Sequence, residues 1–210
     1  MFVPPQYRPS ESGWMIEMVR ANPLALLLSN GEPGSPPLAT HLPVVADESC
    51  PPDLTGAILY GHLNRANPHW RSLSQGAAAT LVFTGPNAYV SPVHYQAEQA
   101  SPTWNYTAVH VHGTVHPLPQ GAETLAVVRA TVSDFERRFG EGWDQSGSQD
   151  YFRQLEPGVG AFRFEVSGAD GMFKLSQEKC PEVRDRVCKA FDADGRTGRP
   201  ETASLMRRLL

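Results

Sequence analysis

Cysteine is scarce: Cys50, Cys180 and Cys188 are the only three in 210 residues, and no two form a CxxC pair. An odd count without a leader segment excludes a secreted disulfide framework and leaves reduced thiols as the expectation. No window comes near the roughly 18 consecutive apolar residues of a membrane span. The opening MFVPPQYRPS also lacks the basic and apolar blocks of a signal peptide. A soluble cytoplasmic protein is expected. Positive charge is short as well, with 18 Lys and Arg against 22 Asp and Glu and a net charge of −4. A chain with that balance is a poor match for a phosphate polyanion, so nucleic acid is not an expected partner. GxGxxG and GxxxxGK[ST] are missing, which removes the two common nucleotide-binding loops. GxSxG, HExxH and a Cys–His signature are missing too, so hydrolase chemistry has no local support.

What is present suits one large domain. Hydrophobic residues make up 40% of the chain, and the 18 Gly and 19 Pro are spread along it rather than gathered in a repeat. Ser10 or Ser12 is placed to cap a short helix carrying Trp14, Met15, Met18 and Val19, which Pro23 stops. Residues 24–30 and 38–45 read as a hairpin around a Gly/Pro-rich connection. Strand patterns follow at 55–63, in AATLVFTG, in AYVSPVHY, at 104–116 and at 161–168, with a short helix opened by Asn67-Pro68 between the first two. From Gln120 to Phe139 the apolar residues Leu125, Val128, Val132, Phe135 and Phe139 recur at helical steps, closed by Gly140. Shorter helices are expected near 151–155, 181–190 and 201–209. Many short antiparallel strands with helices outside them predict an α+β fold, a small antiparallel β-barrel with peripheral helices. Residues 1–170 would form the barrel domain and 171–210 a helical extension packed on it. Residues 174–210 hold 9 of the 18 basic side chains and 6 of the 22 acidic ones, a local balance of 9 − 6 = +3 that is too small to suggest a DNA contact.

Histidine carries most of the chemical information. Six of the seven, His62, His69, His94, His110, His112 and His116, fall between residues 62 and 116. Neutral imidazole ligates iron or zinc and exchanges protons near neutral pH. His62 stands at a strand end and His69 in a first helical turn, positions that line a barrel mouth, so either can serve as an axial ligand. His110 and His112 share one strand face but show no third or fourth zinc ligand. Asn64, Arg65, Asn67 and Arg71 offer groups for a phosphate or propionate, Arg65 foremost because of its guanidinium fork. Thr103, Trp104, Asn105 and Tyr106 can stack on a ring and bond its edge. Lys174 and Ser176 would share one face of an extended segment that closes over a bound cofactor.

The strings MFVP, ATHLP, GHLNRANPHWR, AYVSPxxY, PTWNYxxVHVHG and FKLSQ, in this order through nearly the whole chain, resemble the PaiB-type family of FMN-binding regulators. The resemblance implies a split β-barrel of the flavin-reductase and pyridoxamine-oxidase kind, and a homodimer with the cofactor at the subunit interface. GHLNRANPHW with GPNAYVSP, SPTWNYTAVHVHG, WDQSGS and VSGADGMFKLSQE is similar to the subgroup of heme-dependent piperazate synthases. That subgroup binds heme b instead of FMN and cyclises L-N5-hydroxyornithine to L-piperazic acid with loss of water. Carried over by motif position, His62 or His69 would ligate the iron, Arg65 would pair with a propionate alongside Asn64 and Asn67, and Trp104 and Tyr106 would wall the pocket. Lys174 or Tyr89 would supply a proton or bind the substrate carboxylate. The family commonly has Trp where this chain has His94, next to Tyr95, and that imidazole is a further candidate acid or ligand. An FMN-binding regulator or a flavin reductase is the alternative function.

Overall fold

A computed structural model of the protein describes residues 1–11, 13–47, 49–73 and 76–209. Six strands close into one antiparallel barrel in the order β1-β2-β3-β6-β5-β4, with β4 returning to β1. They are β1 Leu24–Ser29, β2 Leu38–Ala46, β3 Ile58–Asn64, β4 Ala77–Val90, β5 Thr103–Pro117 and β6 Val159–Lys174. Closure leaves no unpaired sheet edge, which is what a fold with little else to cover an edge requires. Alternation along each strand then sorts the side chains. On β3, Leu59 and Leu63 point into the core while Tyr60, His62 and Asn64 point out. Leu27, Leu42, Leu81, Phe83, Phe162 and Phe164 fill the interior at 0–1% exposure. The expected α+β barrel with peripheral helices is therefore the observed architecture.

The three long strands bend to wrap the barrel, and glycine marks where they do. Register shifts between Thr84 and Asn87 and between His112 and Gly113. A Cβ on Gly113 would run into the Glu165 carbonyl of the neighbouring strand, so only glycine allows β5 and β6 to approach there. The two strands expected in AATLVFTG and AYVSPVHY are thus one bent strand, β4. The last strand, expected over 161–168, runs on to Lys174 because its far half pairs with the first half of β5.

Helices lie outside: α1 Trp14–Ala21, α2 Pro68–Ser72, α3 Ala122–Phe139, α4 Gln149–Leu155, α5 Pro181–Ala193 and α6 Arg199–Arg207. The cap of α1 is Gly13, at φ 108 and without a side-chain hydrogen bond, rather than Ser10; Ser12 lies outside the described residues. Helix α3 crosses the outer face of β2, β3 and β6. It buries Thr124, Val127 and Thr131 rather than the expected stripe of Leu125, Val128, Val132, Phe135 and Phe139, and Phe139 is 54% exposed. The two threonines are tolerated inward because their hydroxyls donate to the carbonyls of Pro119 and Val127. The Glu156 carboxylate accepts the Gly121 N–H at 2.7 Å, placing negative charge at the positive end of α3. Helices α5 and α6 pack on each other, and Arg186 donates from α5 to the carbonyls of His94 and Tyr95, both at 3.1 Å. The C-terminal pair thereby holds the β4–β5 connection in place.

Candidate functional site

Most of the residues singled out from the sequence fall into two groups. The first sits where β3 runs into α2. His62 faces outward on β3, opposite Ala161 of β6. Its Nδ1 is buried without a hydrogen-bond partner, the only histidine nitrogen in that condition among the described residues. Burial pushes its pKa below the usual histidine value, so the ring is neutral with a lone pair to give. His69 is different. It is 2% exposed, with Ser29 Oγ 2.9 Å from Nε2 and Thr40 Oγ1 2.9 Å from Nδ1, so it pins α2 to β1 and β2. A ring with both nitrogens occupied has no donor left for iron.

The rest of that motif builds the turn. Asn67 caps α2 by accepting the His69 N–H at 2.9 Å and donates to Thr40 Oγ1. Asn64 Oδ1 accepts the Ala66 N–H at 2.8 Å. Arg65 donates its backbone N–H to Gly158 and lays its guanidinium over Trp70, 5.6 Å from the ring centroid. Trp70 in turn rests on Gly160, where a Cβ would collide with the indole. Asn64 and Arg65 face outward beside His62, whereas Asn67 and His69 are structural.

The second group lies at the far end of β4, β5 and β6. Tyr89 pairs with Trp104 across β4 and β5, and Tyr106 pairs with Lys174 across β5 and β6. Tyr89 and Trp104 meet edge to face at 5.9 Å and stay 42% and 50% exposed. Trp104 donates from Nε1 to Asn87 Oδ1 at 3.1 Å. Lys174 Nζ donates to Thr103 Oγ1 at 2.6 Å and lies 5.8 Å from the Tyr7 ring. His94 ends the short turn after β4 and is half-buried, and the buried Tyr95 hydroxyl beside it has no partner. Burial first, then the Glu178 carboxylate, raises the Tyr95 pKa, so that phenol holds its proton.

Two neighbours expected here are elsewhere. Asn105 alternates inward, buried and bonded to Ser176 and Met206. Ser176 is itself buried at φ 65, so it does not share an extended face with Lys174. On the strip between the groups, His110 and His112 do share an outward face, and His112 lies 3.1 Å from both Thr80 Oγ1 and Asp170 Oδ2. No cluster of three metal-ligating side chains exists among the described residues.

The two groups are separated along the sheet: thirteen residue steps of β6 run from Ala161, beside His62, to Lys174, a contour on the order of 40 Å along a strand that bends with the barrel. A feature that sequence reasoning missed adjoins the first group: a cleft of about 540 Å³ between α3 and the barrel, lined by Tyr60, His116, Arg163 and Glu123 among others. Tyr60, two residues before His62 on the same strand, was the one available signal; the others are distant in sequence.

The family model described as "Putative FMN-binding domain" matches residues 1–168. The chain is 28% identical over 183 residues to Protease synthase and sporulation protein PAI 2 of Bacillus subtilis, covering 85% of this chain and 83% of that one. Among solved structures it is similar to the FAD and heme binding protein from Mycobacterium smegmatis, with a TM-score of 0.54, 14% identity and coverage of 79% and 72%. It is also similar to the flavocytochrome Anf3 from Azotobacter vinelandii, with a TM-score of 0.52, 13% identity and coverage of 79% and 68%. At those identities the likeness establishes the split-barrel fold. No helix among the described residues is long and apolar enough to cross a membrane.

Proposed function

The chain belongs to the family described as "Putative FMN-binding domain", and from that premise we propose that it is a heme-dependent piperazate synthase. It cyclises L-N5-hydroxyornithine to L-piperazic acid. The observation that carries the heme assignment is His62 on the outer side of β3, neutral and with its buried Nδ1 unpartnered among the described residues. Buried polar atoms without partners are rare in folded proteins, and an imidazole in that state on a cofactor-binding fold is explained by a ligand it has yet to meet. Heme is a cofactor named for one structural neighbour of this fold. The resemblance of GHLNRANPHW and SPTWNYTAVHVHG to the synthase subgroup supplies the reaction.

The family resemblance implies a homodimer with the cofactor at the subunit interface, and on that basis the complete site is made by two copies related by a two-fold axis. That arrangement brings the β3–α2 end of one protomer to the aromatic end of its partner. It also covers the exposed Tyr89 and Trp104 rings, which a monomer leaves in water.

His62 would hold the heme iron, and Arg65 and Asn64 would be the groups to pair with a propionate; when bound, the cofactor would supply Lewis acidity toward the weak N–O bond of the hydroxylamine. The protein's own part is positioning and proton control. The N–N bond forms from the α-amine to N5 while the N5–O bond breaks, and the oxygen departs as water with a proton from the α-nitrogen. The reaction needs no oxidant or reductant. Tyr89 at its hydroxyl, Lys174 at Nζ and His94 at its ring are the groups able to hold that proton, while Trp104 and Tyr106 exclude water. Holding a flexible chain with its two nitrogens in contact turns ring closure into an oriented intramolecular step, where most of the rate gain is available.

The test is spectroscopic and chemical. Protein from heme-supplemented cells is expected to show a Soret band and to convert L-N5-hydroxyornithine to a product with an N–N bond. Stoichiometric yellow flavin, no Soret band and no product would replace this function with that of a flavin-binding regulator or reductase.

A further inference from the structure

We propose that the cleft between α3 and the outer face of β3, β5 and β6 is an amino-acid subsite, in which Arg163 takes the α-carboxylate and Glu123 the α-ammonium of a small zwitterion. The identity of that zwitterion as the hydroxylated ornithine rests on the function proposed above; the subsite itself does not.

Size and chemistry select the ligand class. The cleft of about 540 Å³ falls in the range of small-molecule sites. Its strand floor carries a cation and its helical wall an anion, and among the described residues no ion pair joins them. Arg163 engages one nitrogen, Nη2, with Glu165 at 2.6 Å, and among the described residues Nε and Nη1 have no partner. Glu165 also meets His116 at 3.2 Å, so the carboxylate anchors the guanidinium in its place on the sheet. Glu123 stands in the first turn of α3, and among the described residues neither it nor the Tyr60 hydroxyl has a hydrogen-bond or ion-pair partner. Ala126, Val127 and Ala130 also line the cleft, small apolar side chains suited to the rest of an aliphatic amino-acid side chain.

An isolated phosphate would meet the Glu123 carboxylate, and a simple diamine would meet the Arg163 guanidinium. A molecule bearing both charges on adjacent groups satisfies both walls. The cleft also adjoins the proposed cofactor ligand. Tyr60 is the next outward position to His62 on β3, about 7 Å away. The Leu118 N–H on the cleft rim donates to the Ala161 carbonyl at 2.8 Å, and Ala161 is the cross-strand partner of His62.

Calorimetric titration of the full-length protein, with and without added heme, tests the subsite using L-ornithine as the probe. Ornithine is expected to bind the unaltered protein, while putrescine, which lacks the carboxylate, and 5-aminovalerate, which lacks the α-amine, bind at least about tenfold more weakly. Arg163→Met is expected to raise the ornithine Kd about tenfold or more, Glu123→Gln to raise it several-fold, and Arg163→Lys to fall between Arg163→Met and the parent. All three variants should keep the thermal midpoint and any Soret band of the parent. Unchanged ornithine affinity in folded Arg163→Met overturns the subsite, and so does a failure of ornithine to bind the parent in either state. Arg163-dependent ornithine binding without a Soret band leaves the subsite standing and removes the heme function. A Soret band with ornithine binding indifferent to Arg163 does the reverse.

Discussion

His62 and His69 stand seven residues apart in one motif, and the fold treats them in opposite ways. His69 enters the interior between β1 and β2, where two hydroxyls meet its two nitrogens. His62 stays on the outer face of β3 with a buried nitrogen that nothing among the described residues satisfies. A side chain with all its hydrogen bonds made inside the protein is part of the scaffold. One that carries a desolvation cost with no internal return is held ready for something outside it. The contrast makes His69 part of the scaffold and leaves His62 as the imidazole on which the proposed cofactor site rests.

The largest effect that tests this contrast is the loss of the cofactor. His62→Ala should abolish the Soret band while shifting stability by less than about 1 kcal/mol, because it removes no hydrogen bond. A retained band in His62→Ala, lost instead in His69→Ala, would reverse the assignment. Next in size, His69→Ala should cost about 2–4 kcal/mol, from the cavity and the two stranded hydroxyls, lowering the thermal midpoint by roughly 5–15 °C. The heme spectrum of the protein that remains folded should be unchanged. A smaller loss, about 1 kcal/mol by urea titration, is expected for Asn67→Ala, which uncaps α2 but leaves the His69 hydroxyl contacts formed.

The smallest effect is a slope with pH. Burial lowers the pKa of His69 and of His110 in the folded protein. The unfolded chain therefore takes up protons first as pH drops below about 6.5, while the folded chain does not. Stability contributed by these neutral rings is complete above that pH and falls as pH decreases, until the folded pKa values are passed. Urea midpoints at pH 7.5 and 5.5 should differ in that direction, and less so in His69→Ala. An equal slope in the variant would mean that the imidazole does not titrate differently on folding.

Much of the barrel was legible because alternating side chains write a strand's two faces into the sequence. The 104–116 strand and the 24–45 hairpin were found within a residue or two. The continuity of β4 and the length of β6 were not legible. The far half of β6 depends on partners more than fifty residues away, the second half of β4 depends on pairing across a loop with β5, and Gly and Pro at a bend resemble a chain break when read locally. The buried face of α3 was misplaced for a related reason. Its inward threonines satisfy their hydroxyls within the helix and its N-terminal turn, so polarity alone was a poor guide to burial. In the site, the two outward groups were recognisable as residue types, but their separation was not. Arg163 and Glu123 attracted no attention because nothing in a single charged residue announces a cleft.

By itself, the sequence determined which faces of the strands are apolar, and therefore that the chain closes into an antiparallel barrel with an imidazole-rich exterior. Only the tertiary structure decided that His69 is enclosed between two hydroxyls while His62 stands on the outer face, and that Lys174 lies thirteen steps along β6 from the cross-strand partner of His62. The physical reason is register. Alternation fixes whether a side chain points in or out, whereas cross-strand pairing and helix packing decide what stands opposite it, and those interactions join residues that are remote along the chain.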